Sequence, residues 1–218
     1  MGTEMEHTFR MLVNGKLVAG VSEFDVINPA TGKGFARAPK ADEALLNEAV
    51  AAARAAFPAW AALPVEDRAA AIEALAAKLE ARAAEFASLL TSEQGKPLDQ
   101  AMGEVIGCTF ILRAFRDRRV EDKVLRNEGG NTVIEHRTPL GVVASITPWN
   151  FPLILLMNKL GPALITGNTM VVKPAPTTPL TTLLFGEICA EVLPAGVHDG
   201  QSRIRREQPC RLRQIATR

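Results

Sequence analysis

Three side chains able to contact a ligand follow two apolar runs in the middle of the chain. Trp149 and Asn150 come after the run 141–147, and Lys173 follows the β-branched run 168–172. Short apolar runs of this kind are typical of strands buried on both faces of a sheet. Ligands of open parallel sheets lie beyond the carboxyl ends of the strands. The sequence therefore predicts that an indole, an amide and an ammonium group line one crevice.

The residues between these runs predict how the crevice is built. Residues 153–166 are apolar and of helical length, and prolines bracket the loop before them. Thr178 and Pro179 are typical of a helix start, with Thr178 as N-cap and Pro179 at the first helical position. Two buried strands joined by a helix pair in parallel through a right-handed crossover. The predicted fold class is therefore α/β with a parallel sheet.

Several short sequence motifs in this region and before it resemble those of the aldehyde dehydrogenase superfamily. They are NPATG at 28–32, EQGKPL at 93–98, PWNFP at 148–152, KLGPAL at 159–164, VVKP at 171–174, TPLT at 178–181 and LPAGV at 193–197. Together, in this order, they are far more specific than a lone glycine motif. The resemblance implies part of a Rossmann-like dinucleotide-binding domain and oxidation of an aldehyde to a carboxylate with NAD or NADP.

The same resemblance assigns roles to single residues. Asn150 matches the asparagine whose side-chain amide donates to the oxyanion formed on the aldehyde. Lys173 matches the lysine that bonds the adenosine ribose. Five positions match the cofactor cleft: Ile146, Thr147, Pro148, Trp149 and Lys173. Without the family motifs, Trp149 would more readily be interpreted as a residue packed in the core and Lys173 as a solvated residue at a strand end.

Departures from the family limit what this chain is expected to do. Pro176 stands where many relatives carry a glutamate that accepts from the ribose, which leaves both NAD and NADP open. The segments that carry the family's cysteine nucleophile and glutamate base have no match here. Cys108 and Cys189 lie among apolar neighbours and are predicted core residues. Cys210 only superficially resembles the nucleophile segment, so the chain alone is expected to be inactive.

The resemblance also divides the chain. Residues 1–120 are the N-terminal hairpin and helical part, 121–139 an oligomerisation hairpin, 140–197 a βαβα cofactor-binding core and 198–218 a disordered tail outside the family. The alternative function is a non-catalytic module that binds nucleotide or other subunits. The tail is interpreted as the product of a frameshift or deletion near Val197, in preference to a basic tail for nucleic acid. Its arginines are Arg203, Arg205, Arg206, Arg211, Arg213 and Arg218.

Local patterns predict the remaining elements. Residues 9–24 indicate a hairpin around the turn pair Asn14–Gly15, and 24–39 indicate a loop. A helix is predicted over 42–57 and ended by Pro58, with Trp60 packed between helices. One helix is expected from Val65 to about Thr91, a break over 92–98, and a further helix from Leu98 to about Arg116.

Composition excludes several other function classes. The formal net charge is +1 at pH 7, so no polyanionic partner is indicated. Three cysteines without framework spacing favour a reducing compartment, and the acidic N-terminus lacks the apolar core of a secretory signal. No run is long enough to span a membrane, and His7, His136 and His198 lack metal-site spacing. We therefore expect a cytoplasmic protein without bound metal, with an aldehyde substrate in the parent enzyme and homo-oligomer contacts through 121–139.

Overall fold

A five-stranded sheet forms the centre of the molecule in the computed structural model, which describes residues 7–200 of the 218-residue chain. The strand order is β2-β1-β9-β8-β7. Strands β7, β8 and β9 are parallel, while β1 is antiparallel to both β9 and β2. The five strands are β1 Met11–Val13, β2 Lys16–Val18, β7 Val142–Ile146, β8 Thr169–Lys173 and β9 His198–Gly200. The predicted α/β class with a parallel sheet is confirmed.

Helices cover both faces of this sheet. Val171 of β8 packs with Leu46 and Ala53 of the first helix, whereas Met170 and Val172 belong to the cluster that includes the crossover helices. Burial on both faces explains why β8 is a continuous apolar run. The helices are α1 Glu43–Ala62, α2 Val65–Ala81, α3 Ala83–Gln94, α4 Leu98–Arg116, α5 Pro152–Ile165 and α6 Leu180–Val192.

The first helix runs through the proline that was expected to end it. Pro58 lies inside α1, which continues to Ala62. The last turn is held by tertiary contacts, since Trp60 is 2% exposed and its indole donates to the Leu164 carbonyl at 3.3 Å. The proline prediction was therefore wrong, and the predicted packing of Trp60 between helices is confirmed.

The expected helix from Val65 to Thr91 is two helices. Arg82 leaves helical geometry between α2 and α3, with φ −105° and ψ 16°. On either side of this break Leu79 and Phe86 are both fully buried. The single amphipathic pattern did not reveal the break, because both helices place apolar residues in the same core.

A second hairpin replaces the predicted loop over 24–39. Strands β3 Ser22–Asn28 and β4 Lys33–Lys40 pair antiparallel. The turn between them is closed by the side chain of Asn28, which accepts from the Ala30 amide at 2.9 Å. Pro and Gly in this stretch suggested a loop, but they fall largely in the turn and at irregular positions of the pairing. The predicted turn Asn14–Gly15 between β1 and β2 is confirmed by positive φ angles at both residues.

A third hairpin lies at the predicted position between the helices and the crossover core. Its strands are β5 Lys123–Glu128 and β6 Asn131–Glu135. Gly129 and Gly130 form the turn with positive φ angles. Almost all of its side chains are exposed.

The described part of the expected tail is a strand. Residues His198–Gly200 form β9 between β1 and β8, so the structured core extends past Val197. β9 pairs with β8, so β8 has a hydrogen-bonded neighbour on each side. Residues 201–218, including Cys210, lie outside the described residues.

Among the helices of residues 7–200, none has the length and apolar character needed to cross a bilayer.

Candidate functional site

The carboxyl ends of β7 and β8 lie side by side and carry the predicted binding residues. Ile146 is opposite Lys173 in the register, and the Thr147 amide donates to the Lys173 carbonyl at 3.1 Å. The two strand ends are therefore fixed to each other by backbone pairing. The predicted residues Ile146, Thr147, Pro148, Trp149 and Asn150 follow one another on this edge.

The predicted site residues differ in exposure. Trp149 is 60% exposed and Ile146 43%, which is unusual for large apolar side chains. Thr147 is buried at 3% exposure, whereas Pro148 and Asn150 are exposed and Lys173 is half-buried. An indole and an aliphatic side chain thus face solvent at this edge, and Ile146 lies opposite Lys173. Within residues 7–200, the Asn150 side-chain amide has no hydrogen-bond partner, so both of its N–H groups are available to a ligand.

The backbone of the Asn150 loop is held by a buried ion pair. Lys96, from the turn before α4, pairs with Glu104 of α4, and their side chains are 8% and 1% exposed. The Lys96 ammonium also donates to the Asn150 carbonyl at 3.3 Å and lies 4.0 Å from the centre of the Phe151 ring. Lys96 therefore contacts the residues on both sides of the 150–151 peptide bond.

Glu104 joins this loop to the first crossover helix. Its other carboxylate oxygen accepts from the amides of Leu153 and Ile154, each at 3.1 Å. These amides belong to the first turn of α5, where backbone donors lack partners within the helix. The pair Lys96–Glu104 thus fixes both the loop and the helix that follows it. The motif EQGKPL, which contains Lys96, is part of the family resemblance, but nothing in the sequence predicts that Lys96 and Glu104 meet.

The second crossover helix is capped by a different residue from the one predicted. Thr178 does not cap α6, and its buried hydroxyl has no partner in the described part of the chain. Glu93 does so instead, accepting from the amides of Leu180 at 2.7 Å and Thr181 at 3.0 Å. The Thr181 hydroxyl donates to the same carboxylate. Burial raises the pKa of Glu93 to about 7.

The two described cysteines have no features of a nucleophile. Cys108 and Cys189 are fully buried, as predicted. Burial raises the pKa of both thiols well above the ordinary value. A thiolate, the reactive form, is therefore strongly disfavoured at either position.

Comparison with known proteins decides the family. The sequence model of the aldehyde dehydrogenase family matches residues 18–200. The chain belongs to this family. The family resemblance based on the short sequence motifs is thereby confirmed, and the match ends at Gly200 rather than at Val197.

The relatives of this aldehyde dehydrogenase family member include enzymes that are named for different substrates. It is 38% identical to 3,6-anhydro-alpha-L-galactose dehydrogenase of Streptomyces coelicolor, over 84% of this chain and 38% of that protein. It is also 38% identical to succinate-semialdehyde dehydrogenase (NADP(+)) of Escherichia coli, over 85% of this chain and 40% of that protein. The chain thus spans about two fifths of the length of the curated relatives it matches.

Solved structures give the same result. Indole-3-acetaldehyde dehydrogenase in its apo form superposes with a TM-score of 0.88 at 33% identity, covering 93% of this chain and 50% of that one. PnpE in complex with nicotinamide adenine dinucleotide superposes with a TM-score of 0.85 at 36% identity, covering 90% of this chain and 42% of that one. The fold of residues 7–200 is therefore that of the corresponding part of an aldehyde dehydrogenase.

Proposed function

We propose that this chain supplies one wall of an NAD(P) site and one oxyanion donor for the oxidation of an aldehyde to a carboxylate. The observation that carries the proposal is the pairing of the two strand ends, which sets Ile146 and Thr147 beside Lys173 and starts the Trp149–Asn150 loop at the same edge. The chain alone does not turn over aldehyde in this proposal, because the family's cysteine and glutamate segments have no match in its sequence.

The exposed residues of the crevice fit a dinucleotide. Trp149 and Ile146 present apolar surface to solvent, on which a flat base or a ribose can pack. The Lys173 ammonium is a donor suited to ribose hydroxyl groups. Pro176 is exposed and places no carboxylate in this region, so it offers nothing that would repel a 2′-phosphate. Titration with NAD⁺ and with NADP⁺ distinguishes the two cofactors.

Asn150 is assigned the oxyanion role because its amide is free while its backbone is fixed. Lys96 holds the Asn150 carbonyl, so the loop position is set before any substrate binds. A donor fixed in advance stabilises developing charge without reorganisation in the transition state. Bound NAD(P)⁺ supplies the hydride acceptor for the reaction. The second oxyanion donor and the nucleophile belong to segments without a match in this chain.

Cofactor titration tests the binding assignments. Quenching of Trp149 fluorescence is measured against NAD⁺ and NADP⁺ in the wild-type chain and in Lys173→Ala, Asn150→Ala and the distant control Lys16→Ala. We expect Lys173→Ala to weaken binding by about tenfold, the effect of losing one charge-assisted hydrogen bond. Asn150→Ala and Lys16→Ala should leave the affinity unchanged. Unaltered binding by Lys173→Ala would refute its assignment to the ribose.

An activity assay tests the expected lack of turnover. Purified 1–218, with NAD⁺ or NADP⁺ and a panel of aldehydes, should form no reduced cofactor above the rate without protein. Turnover that disappears in Cys210→Ser would show that Cys210 is a nucleophile after all.

The second candidate function is a non-catalytic subunit-contact module. It is favoured by the hairpin β5–β6, where Val124, Leu125, Val133 and Ile134 are 40–57% exposed. An isolated two-stranded ribbon is marginally stable in water and gains from a partner. Sedimentation velocity of the wild-type chain and of Leu125→Lys tests whether the hairpin makes contacts between subunits, which this second function requires. Assembly that the substitution abolishes supports the module, and a monomer at all concentrations contradicts it.

A further inference from the structure

We propose that a cavity at the amino ends of β7 and β8 binds a small organic anion, a carboxylate or a phosphate monoester with an apolar body. The cavity has a volume of about 360 Å³, within the range of small-molecule sites. Its walls include Leu140, just before β7, and Asn168, just before β8. It therefore lies at the opposite end of these strands from Lys173, and it is a site separate from the cofactor crevice.

The charge lining the cavity is of one sign. Arg68, Arg118, Arg119 and Arg137 line it, and no aspartate or glutamate does so. Three acids lie nearby. Glu135 pairs with Arg137, and Glu66 is 3.8 Å from the Arg119 guanidinium and also attracts Arg68. Asp117 pairs with Arg116 and also attracts Arg119. The side chain of Arg118 has no hydrogen-bond or ion-pair partner within residues 7–200. An excess of positive charge remains, and an anion would neutralise it.

Arg68 is a fixed cation in this wall. Its guanidinium donates to the carbonyls of Ile165 at 3.0 Å, Ala61 at 3.2 Å and Leu63. Carbonyl groups orient the guanidinium without cancelling its charge. Its remaining terminal nitrogen, Nη2, has no partner in the described part of the chain. A preorganised guanidinium with a free N–H edge suits carboxylate or phosphate oxygens.

Apolar side chains complete the cavity and restrict the ligand class. Val65 and Ile165 line it beside Arg68, and Leu140 is 94% exposed at its rim. A free inorganic ion would leave these surfaces in contact with water. A ligand with an aromatic or aliphatic body buries them and gains affinity from the hydrophobic effect. The geometry therefore favours an organic anion over inorganic phosphate.

Calorimetric titration of the wild-type chain with phenyl phosphate and with inorganic phosphate tests the site. We expect phenyl phosphate to bind more tightly than inorganic phosphate. Arg118→Gln and Arg137→Gln should each weaken phenyl phosphate by about tenfold, the effect of one lost charged hydrogen bond. Arg37→Gln is the matched control. Arg37 is an exposed arginine that pairs with Glu23, and both residues lie in the β3–β4 hairpin and not in the lining of the cavity. Arg68 is left intact because it also holds three carbonyls.

Three outcomes would overturn the proposal. Equal affinity in the wild type, Arg118→Gln and Arg137→Gln would place the anion elsewhere, provided that thermal unfolding shows all three to be folded. An equal loss in Arg37→Gln would indicate general attraction to a charged surface. If phenyl phosphate instead dissociates a dimer, as seen by sedimentation, the occupant is a carboxylate from a second copy of the chain. None of these readouts depends on the cofactor crevice or on aldehyde oxidation.

Discussion

Two buried glutamates perform the same task in different electrostatic surroundings. Glu104 accepts from the first-turn amides of α5, and Glu93 accepts from those of α6. Glu104 has a buried ammonium partner in Lys96, whereas Glu93 has only neutral donors. One carboxylate is thus compensated by a full charge and the other by hydrogen bonds and a helix terminus.

The two glutamates also differ in what lies next to them. The paired glutamate lies beside the loop that carries Asn150, where Lys96 also holds the Asn150 carbonyl. Glu93 lies at the start of α6, where it accepts from Leu180 and Thr181. In the proposed function, the charged network thus holds the loop that carries the oxyanion donor, whereas the cap of neutral donors holds only a helix start.

Glu104→Ala should give the largest effect, because it leaves the Lys96 ammonium buried without its partner. We expect the free energy of unfolding, from urea denaturation, to fall by about 3–5 kcal/mol. The control is Glu73→Ala on α2, whose pairs with Arg113 and Arg116 are about one-third exposed; it should cost about 1 kcal/mol or less. Equal losses in the two variants would remove the distinction between a buried and a surface pair.

Glu93 should make stability depend on pH. Burial raises the pKa of Glu93 to about 7 from its ordinary value of 4.5, so the folded state holds this proton more tightly than the unfolded state does. The resulting stability is present below pH 4.5 and is lost as the pH rises to 7, by at most about 3 kcal/mol.

The measurement is the difference in unfolding free energy between the wild type and Glu93→Gln across this pH range. A difference is needed because burial also raises the pKa of Asp199 to about 7 and lowers that of His198 to about 4. The wild type should lose stability relative to Glu93→Gln as the pH rises. Parallel curves for the two proteins would contradict the prediction.

Loss of the Lys96 contact should give the smallest effect, a local one at the loop. In Lys96→Met/Glu104→Gln no charge is left unpaired, and the glutamine oxygen can still accept from the α5 amides. We expect acrylamide to quench the exposed Trp149 slightly more, because the Asn150 backbone is less restrained, while Trp60 stays buried. Arg113→Gln, remote from the loop, serves as control. Identical quenching in all three proteins would mean that Lys96 does not restrain the loop.

Local patterns located most of the elements but failed where distant contacts compete with local preference. The strands and helices around 141–192 were predicted within a few residues, because a fully buried parallel strand is apolar throughout. Pro58 was expected to end α1, yet Trp60 anchors the turn beyond it through Leu164, which is 104 positions away. Residues 24–39 were expected to be a loop, yet they pair along almost their full length.

The site also combines residues that local patterns located with contacts that they could not predict. The motifs PWNFP and VVKP placed Asn150 and Lys173 at strand ends. The family to which these motifs pointed is shown by the match over residues 18–200. Thr178 was the local choice of cap for α6, whereas Glu93 from a distant helix performs that role. No spacing along the chain could predict this, because the two residues meet only once α3 and α6 have packed.

By itself the sequence determined the family, the α/β class and the two strand ends that carry the predicted site. These follow from residues close together in the chain, whose types respond to burial and to turn geometry. Only the tertiary structure decided that Lys96 and Glu104 hold the Asn150 loop, that Glu93 caps α6 and that four arginines surround one cavity. Each of these depends on charged side chains from separate elements, and their positions are set by how apolar faces pack rather than by any local pattern.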